Sequence, residues 1–160
     1  MDLDQVTGAL KRAVTRFPEC KLAIFAALLN FAWEMLQMPL FLGMADARFA
    51  DTVKVCLQAT LGDVVLMLIA YWSVAAIARS RRWILAPNGW QLALFIAIGV
   101  AFTVVIEWLA TRGHWVGSWT YSKAMPMVPG LDIGLSPLLQ WLVLPLLVAW
   151  FVARCSSPRT

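Results

Sequence analysis

The sequence predicts an all-α fold: an integral membrane four-helix bundle with an N-terminal amphipathic helix and a long outer loop between spans three and four. Three observations carry this. Hydrophobic residues make up 61% of the chain and charged residues only 14%, with a mean hydropathy of +0.75, which lies outside the range of soluble domains. Four apolar segments, near 21–42, 55–78, 89–111 and 135–153, are each long enough to cross a bilayer core. Most basic residues fall at the ends of these segments rather than within them. The whole chain, 1–160, reads as one transmembrane domain.

Taken in order, residues 2 to 17 lack the continuous apolar core of a secretory signal. Leu3, Val6, Leu10, Val14 and Phe17 recur at helical spacing, with Lys11, Arg12 and Arg16 largely off that stripe. This pattern predicts an amphipathic helix on the membrane surface, stopped near Pro18. The first span carries Asn30, Glu34 and Gln37, the second Gln58 and Asp63, the third Glu107 and the fourth Gln140. Pro39 and Pro145 are expected to kink the spans that hold them, because each lacks the N–H of a helical hydrogen bond. The loop of about 23 residues from Arg112 to Gly134 is rich in Trp, Gly and Pro. Its length and apolar character predict a re-entrant lid. Ser136 and Pro137 read as the N-cap and first residue of the last helix.

Orientation follows from the basic residues. Lys11, Arg12, Arg16, Lys21, Arg79, Arg81, Arg82, Arg154 and Arg159 lie on one side. Arg48, Lys54, Arg112 and Lys123 lie on the other, nine against four of the 13 present. Both termini are therefore expected in the cytoplasm and the long loop outside, in a multi-pass protein of the bacterial cytoplasmic (inner) membrane. At about 1.5 Å per residue, Glu34 and Asp63 each fall roughly 12 Å below the outer surface, with Gln140 and Glu107 nearer to it. A carboxylate at such depth costs about 2.5 kcal/mol or more unless partnered or protonated. Neighbouring stripes of small or polar residues (Cys56 and Thr60; Gly99, Thr103 and Thr111; Ser136) suit helix contacts or cavity walls. The expected site is a polar pocket that opens outward, with His114, Trp115, Trp119 and Tyr121 of the long loop above it.

The net charge of +4 sits at helix ends, which points to anionic lipid headgroups and away from nucleic acid. Cys20, Cys56 and Cys155 have no metal-type spacing, and two lie near one membrane face and one near the other. No cofactor is expected and no residue is assigned as a metal ligand. The expected partners are membrane lipids and an apolar small-molecule substrate, and a homo-oligomer is compatible with so short a chain. Three functional classes fit these residues. The first is an enzyme acting on a lipid or isoprenoid, a cyclase or isomerase, by general acid/base chemistry. Glu34 would be the general acid, Asp63 its partner or the base, and His114 an outer relay. Glu107 is the third acid, and Asn30, Trp33, Gln37, Trp115, Trp119, Tyr121 and Gln140 would bind substrate, with indole faces stabilising a developing cation. The second class is metal-ion handling by Glu34, Asp63, Glu107 and His114, or by the thioethers of Met44, Met125 and Met127. The third is an assembly subunit whose polar stripe meets another protein.

The string Asn30-Phe31-Ala32-Trp33-Glu34 resembles the Asn-x-x-Trp-Glu element of integral-membrane terpene cyclases of fungal meroterpenoid pathways. Gly117-Ser118-Trp119-Thr120-Tyr121 resembles Gly-x-Trp-x-Tyr strings of membrane carotenoid-biosynthesis proteins. The stretch from Glu34 to Phe41 resembles, with altered spacing, the emopamil-binding-protein group of sterol isomerases. Each resemblance covers only a short string, and the chain as a whole resembles a small bacterial polytopic membrane protein. Together they imply intramembrane acid chemistry. A reporter fused after Ala124 is expected to be active outside the cytoplasm; a cytoplasmic signal would invert the assigned depths.

Overall fold

The computed structural model describes residues 17–114 and 117–156. Within them the chain is mostly helical, with α1 Pro18–Gln37, α2 Phe49–Ile77, α3 Gly89–Thr111 and α4 Leu135–Arg154. All four are long and apolar enough to cross a membrane, as a multi-pass membrane protein requires. The amphipathic helix expected over residues 2 to 17 lies, apart from Phe17, outside the described residues, as does Trp115.

Each helix starts and stops for a local reason. Pro18 occupies the first turn of α1, where its missing N–H is not needed. Pro39 ends α1 rather than kinking it: the α-helix stops at Gln37 and a single 3-10 turn, Met38–Leu40, follows. Pro39 has no N–H to continue the helical ladder, and the chain turns extended at Phe41 (φ −104°, ψ 143°), so the expected continuation to 42 does not form. Helix α2 starts at Phe49 rather than at the expected 55: Arg48 is its N-cap, its carbonyl accepts from Asp51 N at 2.9 Å and Thr52 N at 3.0 Å, and an exposed Arg48–Asp51 ion pair of 2.8 Å spans the first turn. At α3 a capping box holds the start. The Asn88 side chain accepts from Gln91 N at 3.1 Å, and Asn88 N donates to the Gln91 side chain at 3.0 Å. Helix α4 runs through Pro145 without interruption. Gly134, not Ser136, is its N-cap, and Ser136 is free to bond elsewhere.

The long loop is not wholly irregular. Met127–Val128 (β1) and Ile133–Gly134 (β2) pair antiparallel, Met127 opposite Gly134 and Val128 opposite Ile133. The all-α expectation is corrected by this small sheet. Its turn begins at Pro129-Gly130, where Gly130 has φ +80° and Leu131 N donates to Val128 O at 3.3 Å, as a type II turn requires.

Helix α1 packs on α2 and α4, and α3 packs on the same two. The inward stripes recur every four residues: Leu22, Ala26, Asn30 and Glu34 on α1, and Phe95, Gly99, Thr103 and Glu107 on α3. Each stripe is apolar at one end and polar at the other. The apolar ends meet in one core with Met67, Tyr71 and Val74 of α2 and Val148 and Val152 of α4. Tyr71 donates to Arg81 O, Trp83 Nε1 donates to Tyr71 O at 3.2 Å, and Glu19 pairs with Arg81, closing that end. The outward faces carry Leu28, Leu36, Val105, Trp108 and Trp150, all exposed, as expected where lipid is the solvent.

At the middle of the fold the Trp141 ring packs against Gly99, and a Cβ at Gly99 would overlap it. Gly99→Val is expected to destabilise the protein by about 1–3 kcal/mol, the usual cost of overpacking. Thermal melts in detergent check this; an unchanged Tm would mean that the indole is not held.

Candidate functional site

The polar ends of the inward stripes converge. Helical spacing places Asn30, Glu34 and Gln37 along one face of α1, and Gln140 of α4 reaches all three. Gln140 Nε2 lies 2.8 Å from Asn30 Oδ1, 3.2 Å from Glu34 Oε1 and 2.9 Å from Asp63 Oδ2. Gln37 Nε2 donates to Glu34 Oε1 at 2.8 Å and to Gln140 Oε1 at 3.3 Å. Gln37 Oε1 in turn accepts from Trp33 Nε1 at 3.2 Å and from Ser136 Oγ at 2.8 Å. Asn30 Nδ2 is tied to Ala26 O at 2.8 Å. Glu34 and Asp63, on different helices, thus meet at the one Gln140 amide. The Gln140 amino group has two hydrogens for these three neighbouring acceptors, so it is shared among them.

Glu107 stands apart from this network. Its Oε2 accepts from Trp119 Nε1 at 3.1 Å and from the Tyr121 hydroxyl, while Thr111 Oγ1 donates to its backbone carbonyl at 2.7 Å. The loop reaches Glu107 because Thr120 and Ser122 are pinned to the chain that follows α1. Leu42 N donates to Thr120 O at 2.8 Å, Ser122 N donates to Leu40 O at 2.9 Å, and Phe41 faces Tyr121 in an antiparallel bridge. The Phe41 ring meets Trp119 edge-on at 6.4 Å. The expected lid is thus a strap, hydrogen-bonded to the chain that follows α1. Burial pushes the Tyr121 phenol above its ordinary range, and its bond to Glu107 pushes the same way.

Both groups open into one cavity of about 1050 Å³, at the upper end of small-molecule sites. Glu34, Asp63, Glu107 and Gln140 contribute its polar surface; Phe41, Leu66, Ile106 and Trp141 are among its apolar walls. Of the residues expected from sequence, Asn30, Glu34, Gln37, Asp63 and Gln140 form one network. Trp33 buttresses it through Gln37, and Glu107, Trp119 and Tyr121 form a second group on the same cavity. His114 joins neither. It is exposed, its ring tilted against Trp108 at 6.4 Å, because the helix C-terminus turns it outward with His114 N bonded to Leu109 O at 2.9 Å. Among the described residues no group of three His, Cys, Asp or Glu side chains is arranged to hold a metal ion. The three thioethers are also dispersed: Met44 lines the cavity, Met125 is buried beside Gly134 and Met127 is exposed on β1.

Sequence reasoning missed Ser136 as a donor to Gln37, having placed it as a cap. It also missed Phe41 and Trp141 as cavity walls; Gly99, on a four-residue stripe, was the signal that a large ring approaches there. Comparison with protein-family models, with curated proteins and with solved structures finds no match for this chain. The chemistry must therefore be read from the site itself.

A raised phenol pKa stabilises the folded state below the unfolded value of about 10, and that stabilisation is lost as pH rises above it. Unfolding midpoints are expected to fall above about pH 10 in the wild type, and to fall less steeply in Tyr121→Phe. Parallel pH profiles for the two proteins would assign no such role to Tyr121.

Proposed function

We propose that this chain is a membrane-embedded enzyme that performs general acid/base chemistry on a lipid or isoprenoid substrate, of the cyclase or isomerase type. In this reading the four helices form a bundle in the bacterial inner membrane. Both termini are cytoplasmic and the strap lies outside. The observation that carries the proposal is the convergence of Glu34 and Asp63 on the Gln140 amide at the wall of a large, mainly apolar cavity. A carboxylic acid proton held by such a pair against an apolar ligand is a proton source for a carbon–carbon double bond or a strained oxygen ring. Glu34 is the general acid, Asp63 its proton-sharing partner, and Gln140 and Gln37 are positioning residues that fix the Glu34 carboxyl. Glu107, held by Trp119 and Tyr121, supplies a second carboxyl group that can receive a proton released from the substrate. The rings of Trp119, Phe41 and Trp141 offer faces to a cationic intermediate.

Proton transfer to carbon leaves an isotopic record. Protein reconstituted in bilayers of host lipid extract and incubated in heavy water is expected to place deuterium on carbon in one lipid species. Glu34→Gln is expected to lose that incorporation while remaining folded by circular dichroism, because the amide keeps the shape but has no transferable proton. Equal incorporation in Glu34→Gln would remove Glu34 from the mechanism.

A further inference from the structure

We infer that the cavity takes a neutral, oxygen-bearing lipid, not a phosphorylated or carboxylated one, and admits it sideways along α2. The inference rests on the proposal that these helices lie in a bilayer, and it names the substrate class of that site.

Charge decides the head group. Three carboxyl groups, Glu34, Asp63 and Glu107, open into the cavity, and no Lys, Arg or His among the described residues lines it. Of the basic side chains at this end, Arg112 lies over the Trp108 ring and 3.7 Å from Asp132, Arg48 pairs with Asp51, and Lys54 and Lys123 are exposed and outside the cavity lining. A phosphate or carboxylate brought into so apolar a space would face like charge with no counter-ion, a steep cost at low dielectric. An alcohol, ketone or epoxide meets no such penalty. The wall also carries a polar group without a protein partner. Thr103 is 5% exposed, and its Oγ1 has no hydrogen-bond partner among the described residues. A buried hydroxyl left unpaired is costly, and it lies one turn below Glu107 on the same stripe of α3. An oxygen on a bound lipid would satisfy it.

Exposure decides the route. Across the outer end the strap is hydrogen-bonded to the end of α1 through Thr120 and Ser122. Along α2, by contrast, Val55, Leu61 and Val65 both line the cavity and stand 39%, 67% and 55% exposed. These positions cover about 15 Å of helix axis. An opening edged by Val and Leu over that length, on a helix apolar enough to cross a membrane, faces acyl chains rather than water. A long-chain ligand can therefore keep its tail among lipids while its oxygen reaches Thr103 and the acids.

The probes are hexadecanol carrying a diazirine on a carbon close to its hydroxyl and the phosphate monoester of the same alcohol, each dissolved in phosphatidylcholine vesicles holding the protein. After illumination, peptides containing Gly62–Leu66 or Thr103–Glu107 are expected to carry the alcohol several-fold more often than the phosphate. Gly62→Trp fills the mouth and is expected to reduce alcohol labelling several-fold; a Cβ at Gly62 meets nothing within 4 Å, so the position tolerates a side chain. Thr103→Val is expected to weaken labelling at the same peptides. Equal or greater labelling by the phosphate would overturn the neutral-lipid assignment, and that comparison needs no variant. Undiminished labelling in folded Gly62→Trp would overturn the sideways route, and Leu61→Trp repeats that test if Gly62→Trp does not fold. Labelling reads occupancy and not turnover. Its failure is therefore separate from failure of the acid/base reading, which the deuterium experiment alone decides.

Discussion

The Gln140 amide is the interaction on which the interior of this protein depends. It lies within hydrogen-bond distance of side chains from α1 and α2 while being carried by α4. Buried polar groups in apolar surroundings must find partners inside the protein, since lipid offers none. Asn30, Glu34, Gln37 and Asp63 are therefore not independently placed. Each is held by a group that another helix supplies, and a shift of one helix by a turn would leave several of them unpaired.

This requirement divides the molecule into two halves with different physics. Toward the start of α1 the inward stripes are Leu, Ala, Val and aromatic, and they close into a packed core around Tyr71 and Phe95. Toward the end of α1 the same stripes turn polar, and the helices enclose a cavity instead of a core. Gly99 sits at the change, where the Trp141 ring fills the space a side chain would need. A rigid lower half beneath a hollow upper half is the arrangement that pre-organised chemistry requires, because the packed half fixes the directions from which the acids enter the cavity.

The strap links the two acid groups without touching both. Its bridge to Phe41 ties it to the helix that carries Glu34, and Trp119 and Tyr121 tie it to Glu107 on the helix opposite. Position on this strap also explains why two aromatic residues of one loop differ in role from the histidine a few residues earlier. His114 leaves α3 on the outside of the turn, against Trp108, before the chain bends back over the cavity.

Periodicity and apolar run length were enough to find the four helices, and the capping residues around Asn88 placed α3 at the expected 89–111. Spacing of four also put Asn30 with Glu34 and Thr103 with Glu107, because residues on one helix share a face whatever surrounds them. The ends of α1 and α2 were less legible. Whether Pro39 kinks or terminates a helix depends on where the following chain goes, and that chain is drawn off to pair with Thr120 and Ser122. The two-residue strands were invisible for the same reason, being too short to show a period. Only the tertiary structure could decide that Gln140 meets α1 and α2 together, that Ser136 bonds to Gln37 instead of capping, and that Glu107 joins the loop rather than Asp63. Those choices turn on contacts between residues about 75 to 110 positions apart, or on a loop folding back, and local sequence carries no information about which helix lies beside which.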